Sequence, residues 1–335
     1  MKQKGNHYYI SLDLFRGFCG YGVAITHLNA FVFKNLYMEY LSFLFAELFF
    51  VLSGFVLYPQ LIKILDNKDN LFVFYKRRWI RTLPLYFISL LIVSALTNEL
   101  TSYDFIKYLF FIQKIIPDFI TNDYYPVAWS LSIEEFFYLL FPILILSFNK
   151  KNIITNSIII FFIILISKYF LTTDFDSNFL RTGTLFRFDA ILLGFLSRHF
   201  YQKLIKFNLL IFVLFIISFS LYFFSQNYFI LNQELHITKY IFIILLQIIS
   251  VLLLILFTYL EPLMKNVFFQ NLSSTISKQT YSIYLIHMIL IYLLEKISFS
   301  WLATNLIYIS LLFILSLLIY KFIEKPLLSM RPKMK

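Results

Sequence analysis

The sequence predicts an all-α, polytopic transmembrane bundle of about ten spans, with both termini in the cytoplasm. Three observations carry this expectation. Of the 335 residues, 60% are apolar or aromatic and only 14% charged, with a mean hydropathy of +0.78, whereas soluble domains carry roughly 25% charged residues. The apolar residues gather in runs of span length, because about 20 helical residues cross a hydrocarbon core. The basic residues concentrate in alternate connections between those runs, as the positive-inside rule requires. Cys19 is the single cysteine, which excludes a disulfide scaffold.

In chain order the runs cover 12–33, 41–59, 79–97, 127–147, 153–171, 184–199, 207–225, 238–260, 276–294 and 303–323. The stretch 105–116 is too short to span and reads as an interfacial or re-entrant piece. With the N-terminus inside, the cytoplasmic connections hold most of the basic residues. They include Lys2, Lys4, Lys76, Arg77, Arg78, Arg81, Lys150, Lys151, Arg198, Lys203, Lys206, Lys325, Arg331 and Lys335. The outer connections hold fewer, among them Lys34, Lys107, Lys114, Lys168 and Arg181. The first run is too long for a signal-peptide core and carries charge, so it is expected to be retained. The connections are short, and one integral-membrane domain over 1–335 is expected. The net charge of +11 is spread as membrane anchoring, not as a nucleic-acid-binding face. No Cys/His spacing suggests a metal.

Ionisable side chains inside spans are costly and mark sites or buried networks. In the first run, LDLFRGFCGYGVAITH, helical geometry places Arg16 and His27 about 20° apart in azimuth and ~16 Å apart along the axis, with Asp13 on the same stripe. Gly17, Cys19, Gly20, Gly22 and Ala24 keep this helix narrow, for close packing by neighbours or a ligand. His27 is suited to take a proton from a hydroxyl, or is a buried packing histidine. Arg16 requires an anion or pairs with Asp13. Glu47 lies mid-span in the second run. Glu134 and Glu135 follow WSLSI in the fourth and diverge by ~100°, so one of them faces the His27 side. Arg187 and Asp189, two apart, are poorly spaced to pair with each other. Each of these could complete a buried ion network.

Arg77, Arg78 and Arg81, in FYKRRWIRTLPLY, sit at the mouth of the third run, with Pro84 near its start or kinking it. They are membrane anchors, or a seat for phosphates gripped by guanidinium forks. Tyr284 and His287 share a helix face, and His287 reads as structural. Glu324 and Pro326, in FIEKP, read as a helix terminator with an ionic tether.

The ordered set YYISLDLFRGFCGYGVAITH, FFVLSGFVL, YKRRWIRTLPLY, WSLSIEEFFYLLFP, RFDAILLGFL, TYSIYLIH and FIEKP resembles the acyltransferase 3 family of membrane proteins that modify bacterial glycans. The resemblance runs over nearly the whole chain. It implies about ten spans in the cytoplasmic membrane and transfer of an acyl group, usually acetyl, from cytoplasmic acyl-coenzyme A to a sugar hydroxyl at the outer face. It makes His27 the leading catalytic candidate, paired with Arg16, and lays the donor-binding arginines on Arg78 and Arg81 and the motif glutamate on Glu134. Phe136 stands where the family pattern has glutamine. Some relatives carry a further esterase-like domain, and none is expected here. The expected partners are acyl-coenzyme A, a glycan acceptor, membrane lipids and glycan-assembly proteins, with no permanently bound cofactor. On this reading His27 is the base, Arg16 and Tyr284 stabilise negative charge, and Glu134 or Asp13 orients the site. Ser53 and Cys19 are nucleophile candidates without an evident base. The rival class is a transporter or flippase, whose interior also needs paired charges; the sequence shows no inverted repeat.

Overall fold

The computed structural model of the protein describes residues 9–148, 150–171, 177–231, 236–297 and 299–334. Lys2, Lys4 and Lys335, used in the charge argument, lie outside the described residues. The described chain is helical with no strand: α1 (Ser11–Phe31), α2 (Leu36–Asp66), α3 (Asn70–Leu96), α4 (Tyr103–Leu109), α5 (Trp129–Ser147), α6 (Ile153–Leu171), α7 (Ser177–Thr182), α8 (Phe188–Leu204), α9 (Asn208–Leu231), α10 (His236–Thr258), α11 (Val267–Leu294), α12 (Trp301–Ile319) and α13 (Lys325–Ser329). Every apolar run of the sequence has become a helix. Among the described residues, 7 helical segments are long and apolar enough to cross a membrane. The long helices outside that set are α1, α8 and α11; α1 carries Asp13, Arg16 and His27, and α8 carries Asp189 of the pair expected in its run.

Burial separates a centre from a periphery. In α2, 56% of the apolar window is buried, against 17% in α6, in α9 and in the segment Trp301–Ser329. The peripheral helices present leucine, isoleucine and phenylalanine outward, as lipid contact permits. At the centre, α1 packs between α11 and α2. Its glycines face neighbours rather than a ligand: a Cβ on Gly17 would meet the Ile276 side chain, one on Gly20 the Thr280 side chain, and one on Gly22 the Phe45 ring. The closest approach is elsewhere. A Cβ on Gly54 of α2 would lie 1.8 Å from the Ile191 carbonyl oxygen, and one on Gly194 of α8 would lie 2.0 Å from that of Val51. These reciprocal clashes show that α2 and α8 cross backbone against backbone, which only glycine allows.

Four expectations change. The third helix starts at Asn70, not near 79, so Arg77, Arg78 and Arg81 project from α3 itself, and Pro84 lies within it. Arg187 is the residue preceding α8, not part of a span. Lys168, assigned to an outer connection, is 1% exposed within the bundle and ion-paired to Asp189. Near the end, the chain does not stop at Glu324. It passes through a π turn (Tyr320–Glu324) into α13, and buried Glu324 accepts a hydrogen bond from the Ser282 hydroxyl instead of holding a cation.

The stretch expected to be re-entrant forms only the short α4, capped by Ser102, and a loop that returns to α5. Asp104 organises this loop by accepting from Thr121 N (2.9 Å), Asn122 N (2.8 Å) and Lys107 Nζ (2.9 Å). Burial works to raise its pKa, but these donors outweigh it and hold the carboxyl below the usual range. The loop thereby brings Asp123 to the wall of the central cavity.

Candidate functional site

A cavity of about 290 Å³ lies among α1, α2, α3, α5 and α11. Along α2 its lining runs from Glu39 to Gln60, about 32 Å of helix, a length comparable to a hydrocarbon core of ~30 Å. Different chemistry lines its two ends and its middle.

One end is basic. Arg77, Arg78 and Arg81 from α3 line it, joined by Arg331 from the segment after α13. Arg78 donates to Gln60 Oε1 (3.2 Å), lies over the Tyr138 ring (4.9 Å to the centroid) and keeps its buried Nε without a partner. Arg16 also faces the cavity. Its guanidinium donates to Asp13 Oδ1 (3.1 Å) and Ser277 Oγ (3.2 Å), and Ser277 in turn donates to the same carboxylate oxygen (2.9 Å). Asp13 is not part of the cavity wall and serves to hold Arg16 in place.

Between the ends His27 lines the cavity, with His287 buried behind it. His27 Nδ1 lies 3.0 Å from His287 Nε2, with the rings stacked at 5.2 Å between centroids. The other ring nitrogen of His287, Nδ1, lies 2.7 Å from the Tyr284 carbonyl oxygen and 3.2 Å from that of Ile283. A carbonyl oxygen only accepts, so His287 Nδ1 carries the proton and, in the neutral ring, its Nε2 is an acceptor. His27 Nδ1 must then be the donor across the 3.0 Å contact. This leaves His27 Nε2 as an unprotonated nitrogen on a residue that faces the cavity. The sequence placed His287 on a plausible face but read it as structural. Its contact with His27 depends on how α11 crosses α1, which spacing along one helix does not encode.

On the same cavity wall, Glu134 of α5 accepts from Ser53 Oγ of α2 (2.7 Å) and from the Tyr138 hydroxyl (2.9 Å). Ser53, which had no evident base in sequence, thus contacts a carboxylate. Cys19 is buried in the core and does not line the cavity. Of the two adjacent glutamates only Glu134 lines the cavity; Glu135 turns away and accepts from Thr82 Oγ1 (2.6 Å). Tyr284 also faces the cavity, bonded to Ser130 Oγ (2.8 Å) and to the Val127 carbonyl. Phe136, the departure from the motif, packs among the apolar side chains of α3, α4 and α5.

The opposite end is mixed. Lys114 pairs with Asp123 (2.8 Å), and Arg181 lies over the rings of Phe43 (3.9 Å) and Trp129 (5.1 Å). Arg181 had been read as a loop charge.

Glu47, Arg187 and Asp189 do not join this site. Arg187 is ion-paired to Glu47, and Lys168 to Asp189, which also accepts from Gln247 Nε2 (2.6 Å) and its neighbour Ala190 N (2.8 Å). The two pairs tie α2, α6, α8 and α10 together away from the cavity lining.

Against known proteins, a family model described as an acyltransferase domain, that of acyltransferase 3, matches residues 9–321. The chain is 28% identical to O-acetyltransferase OatA of Staphylococcus aureus strain NCTC 8325 / PS 47, over 97% of this chain and 58% of the relative. It is likewise 28% identical to a putative O-acetyltransferase of S. aureus strain COL, again over 97% of this chain and 58% of the other. The chain therefore spans a little over half the length of these curated relatives. No solved structure matches it. The family match over most of the chain agrees with the ordered motifs and with the helices that carry them, and the protein belongs to the acyltransferase 3 family.

Proposed function

We propose that the protein transfers an acyl group, acetyl in the first instance, from acyl-coenzyme A to a hydroxyl of an envelope polysaccharide or its lipid-linked precursor. The setting is the bacterial cytoplasmic membrane. The observation that carries this reading is the unprotonated His27 Nε2 in a cavity that also holds an arginine cluster. The names of the relatives, O-acetyltransferases, support the acyl group and the oxygen acceptor.

The chemistry follows from the proton positions. An acceptor hydroxyl next to His27 Nε2 gives up its proton as its oxygen attacks the thioester carbonyl. The imidazolium so formed is stabilised through Nδ1–H by the His287 Nε2 lone pair. The tetrahedral intermediate collapses with cleavage of the carbon–sulfur bond, and His27 returns the proton to the departing thiolate. Arg16 is ~16 Å of helix from His27, too far to meet the oxyanion. We assign it to the donor's path beside Arg78 and Arg81, which hold the donor phosphates as guanidinium forks. Tyr284 lies nearer, since its own carbonyl holds His287. Glu134 fixes Ser53 and Tyr138 along the wall between the two regions. With the arginine end inside, as the charge distribution predicts, donor enters there and acceptor approaches from the Arg181–Trp129 end.

The test supplies labelled acetyl-coenzyme A to membranes carrying the native protein or His27→Ala and follows label into glycan. Loss of a positioned general base costs about 10²–10⁴-fold, so transfer should fall at least 100-fold while donor binding persists. Equal transfer by both proteins overturns the assignment. Protein-dependent movement of glycan across the bilayer without label transfer would favour a transporter.

A further inference from the structure

The chain after α13 does not leave the molecule. Arg331 Nε donates to the Arg77 carbonyl (3.1 Å), and the Arg77 guanidinium donates to the Pro332 carbonyl, so segment and α3 are clipped together in both directions. Three residues on, Met334 packs against the apolar cluster built by α2, α5, α6 and α8. The segment is thus a strap, fastened to α3 at one point and to the α2–α5 side at another. Arg331 lies on it and lines the cavity.

The strap adds a cation where three already stand. Among the described residues, none of the ion pairs engages Arg77, Arg78, Arg81 or Arg331. Burial first, then the charges of Arg81, Arg77 and Arg78, press the Arg331 guanidinium below its ordinary pKa. Arg331 uses Nε on the backbone, and its terminal nitrogens have no protein partner among the described residues. Glu134 lines the same cavity but accepts from Ser53 and Tyr138, and Glu324 accepts from Ser282. Among the described residues the four guanidiniums thus face the cavity with no carboxylate in ion-pair contact, and guanidinium forks match phosphate oxygens.

We propose that Arg331, held by the strap, is a phosphate ligand of the acyl donor, completing with Arg77, Arg78 and Arg81 a four-arginine seat for the diphosphate and ribose 3′-phosphate of acyl-coenzyme A. The proposal rests on the reading of this cavity as the donor site. The same chemistry could be supplied by an anionic lipid headgroup, so the test must separate the two sources.

Acetyl-coenzyme A binding is measured on the full chain in nanodiscs of phosphatidylcholine alone and of phosphatidylcholine with phosphatidylglycerol, for the native protein, Arg331→Gln and Arg331→Lys. Thermal unfolding of each variant is followed in parallel. The expected result in neutral lipid is about a tenfold loss of affinity for Arg331→Gln and recovery to within about threefold for Arg331→Lys, which keeps the charge and loses the Nε clip. Equal binding by the native protein and Arg331→Gln overturns the proposal. So does a loss confined to discs containing phosphatidylglycerol, which assigns Arg331 to lipid, and so does Arg331→Lys binding as weakly as Arg331→Gln, which reduces the residue to a structural clip. Absence of saturable binding by the native protein would instead overturn the donor reading itself, a different result.

Discussion

The Glu47–Arg187 and Lys168–Asp189 pairs and the Arg77–Arg78–Arg81–Arg331 cluster occupy one bundle, yet their charges are handled in opposite ways. In the first region each cation has a carboxylate in contact, side-chain exposure is 4% or less, and no member lines the cavity. In the second, four cations line a cavity and, among the described residues, none is in an ion pair. Ionisable residues in membrane helices are expensive everywhere, so their presence alone does not mark a site. Neutralised charge in a closed interior holds helices together, whereas cations without a contacting carboxylate beside open volume are the ones for which a ligand is proposed. The His27–His287 pair belongs with the second region, since its hydrogen-bond chain ends on a cavity-facing residue, at an atom with no partner among the described residues.

The contrast can be broken first at the closed network. Removing one partner of a buried pair strands the other charge and costs about 3–5 kcal/mol, while replacing both with apolar groups is close to neutral. Arg187→Met or Glu47→Leu alone should lower the unfolding free energy by that amount. The double variant should recover most of it and keep acyl transfer per folded molecule within about threefold. A double variant that folds but no longer transfers acyl groups would place this network in the chemistry. The open region responds differently. His287→Phe leaves the His27 Nδ1–H without an acceptor, a penalty of about 1–3 kcal/mol. This should appear as a fall of roughly 10- to 100-fold in kcat with KM for the donor little changed, and His287→Gln, which restores an acceptor oxygen, should regain part of it. An unchanged kcat in His287→Phe would return His287 to a packing role. The smallest effect is expected at the wall: Ser53→Ala removes one donor to Glu134 and should reduce transfer by about threefold. A loss above 100-fold, with acetyl-serine found in the native protein by mass spectrometry, would replace direct transfer by an acyl-enzyme.

Much of this was legible in order and little of it in depth. The apolar runs located every long helix, because hydrocarbon burial sets both composition and length locally. The stripe of Asp13, Arg16 and His27 on α1 could be read from helical periodicity, as could the divergence of Glu134 from Glu135. Lys168 could not, because a lysine near a helix end reads equally as a loop charge or as the partner of a carboxylate on another helix. Arg331 was hidden for a similar reason: in sequence it is one more basic residue after the last span, where positive-inside anchoring already accounts for it.

Legible in the amino-acid order alone are an all-helical membrane protein, the family motifs in their order, and the ionisable side chains placed within its apolar runs. Those properties depend on composition and on the 3.6-residue period within single helices. The packing of the helices was needed to bring His287 against His27, Glu134 to Ser53, Glu47 to Arg187, and Arg331 back to the arginines of α3. Each of these joins distant segments of the chain, 81 or more positions apart. Their partners are fixed by how helices cross, through contacts such as Gly54 against Gly194, and not by any spacing along the chain.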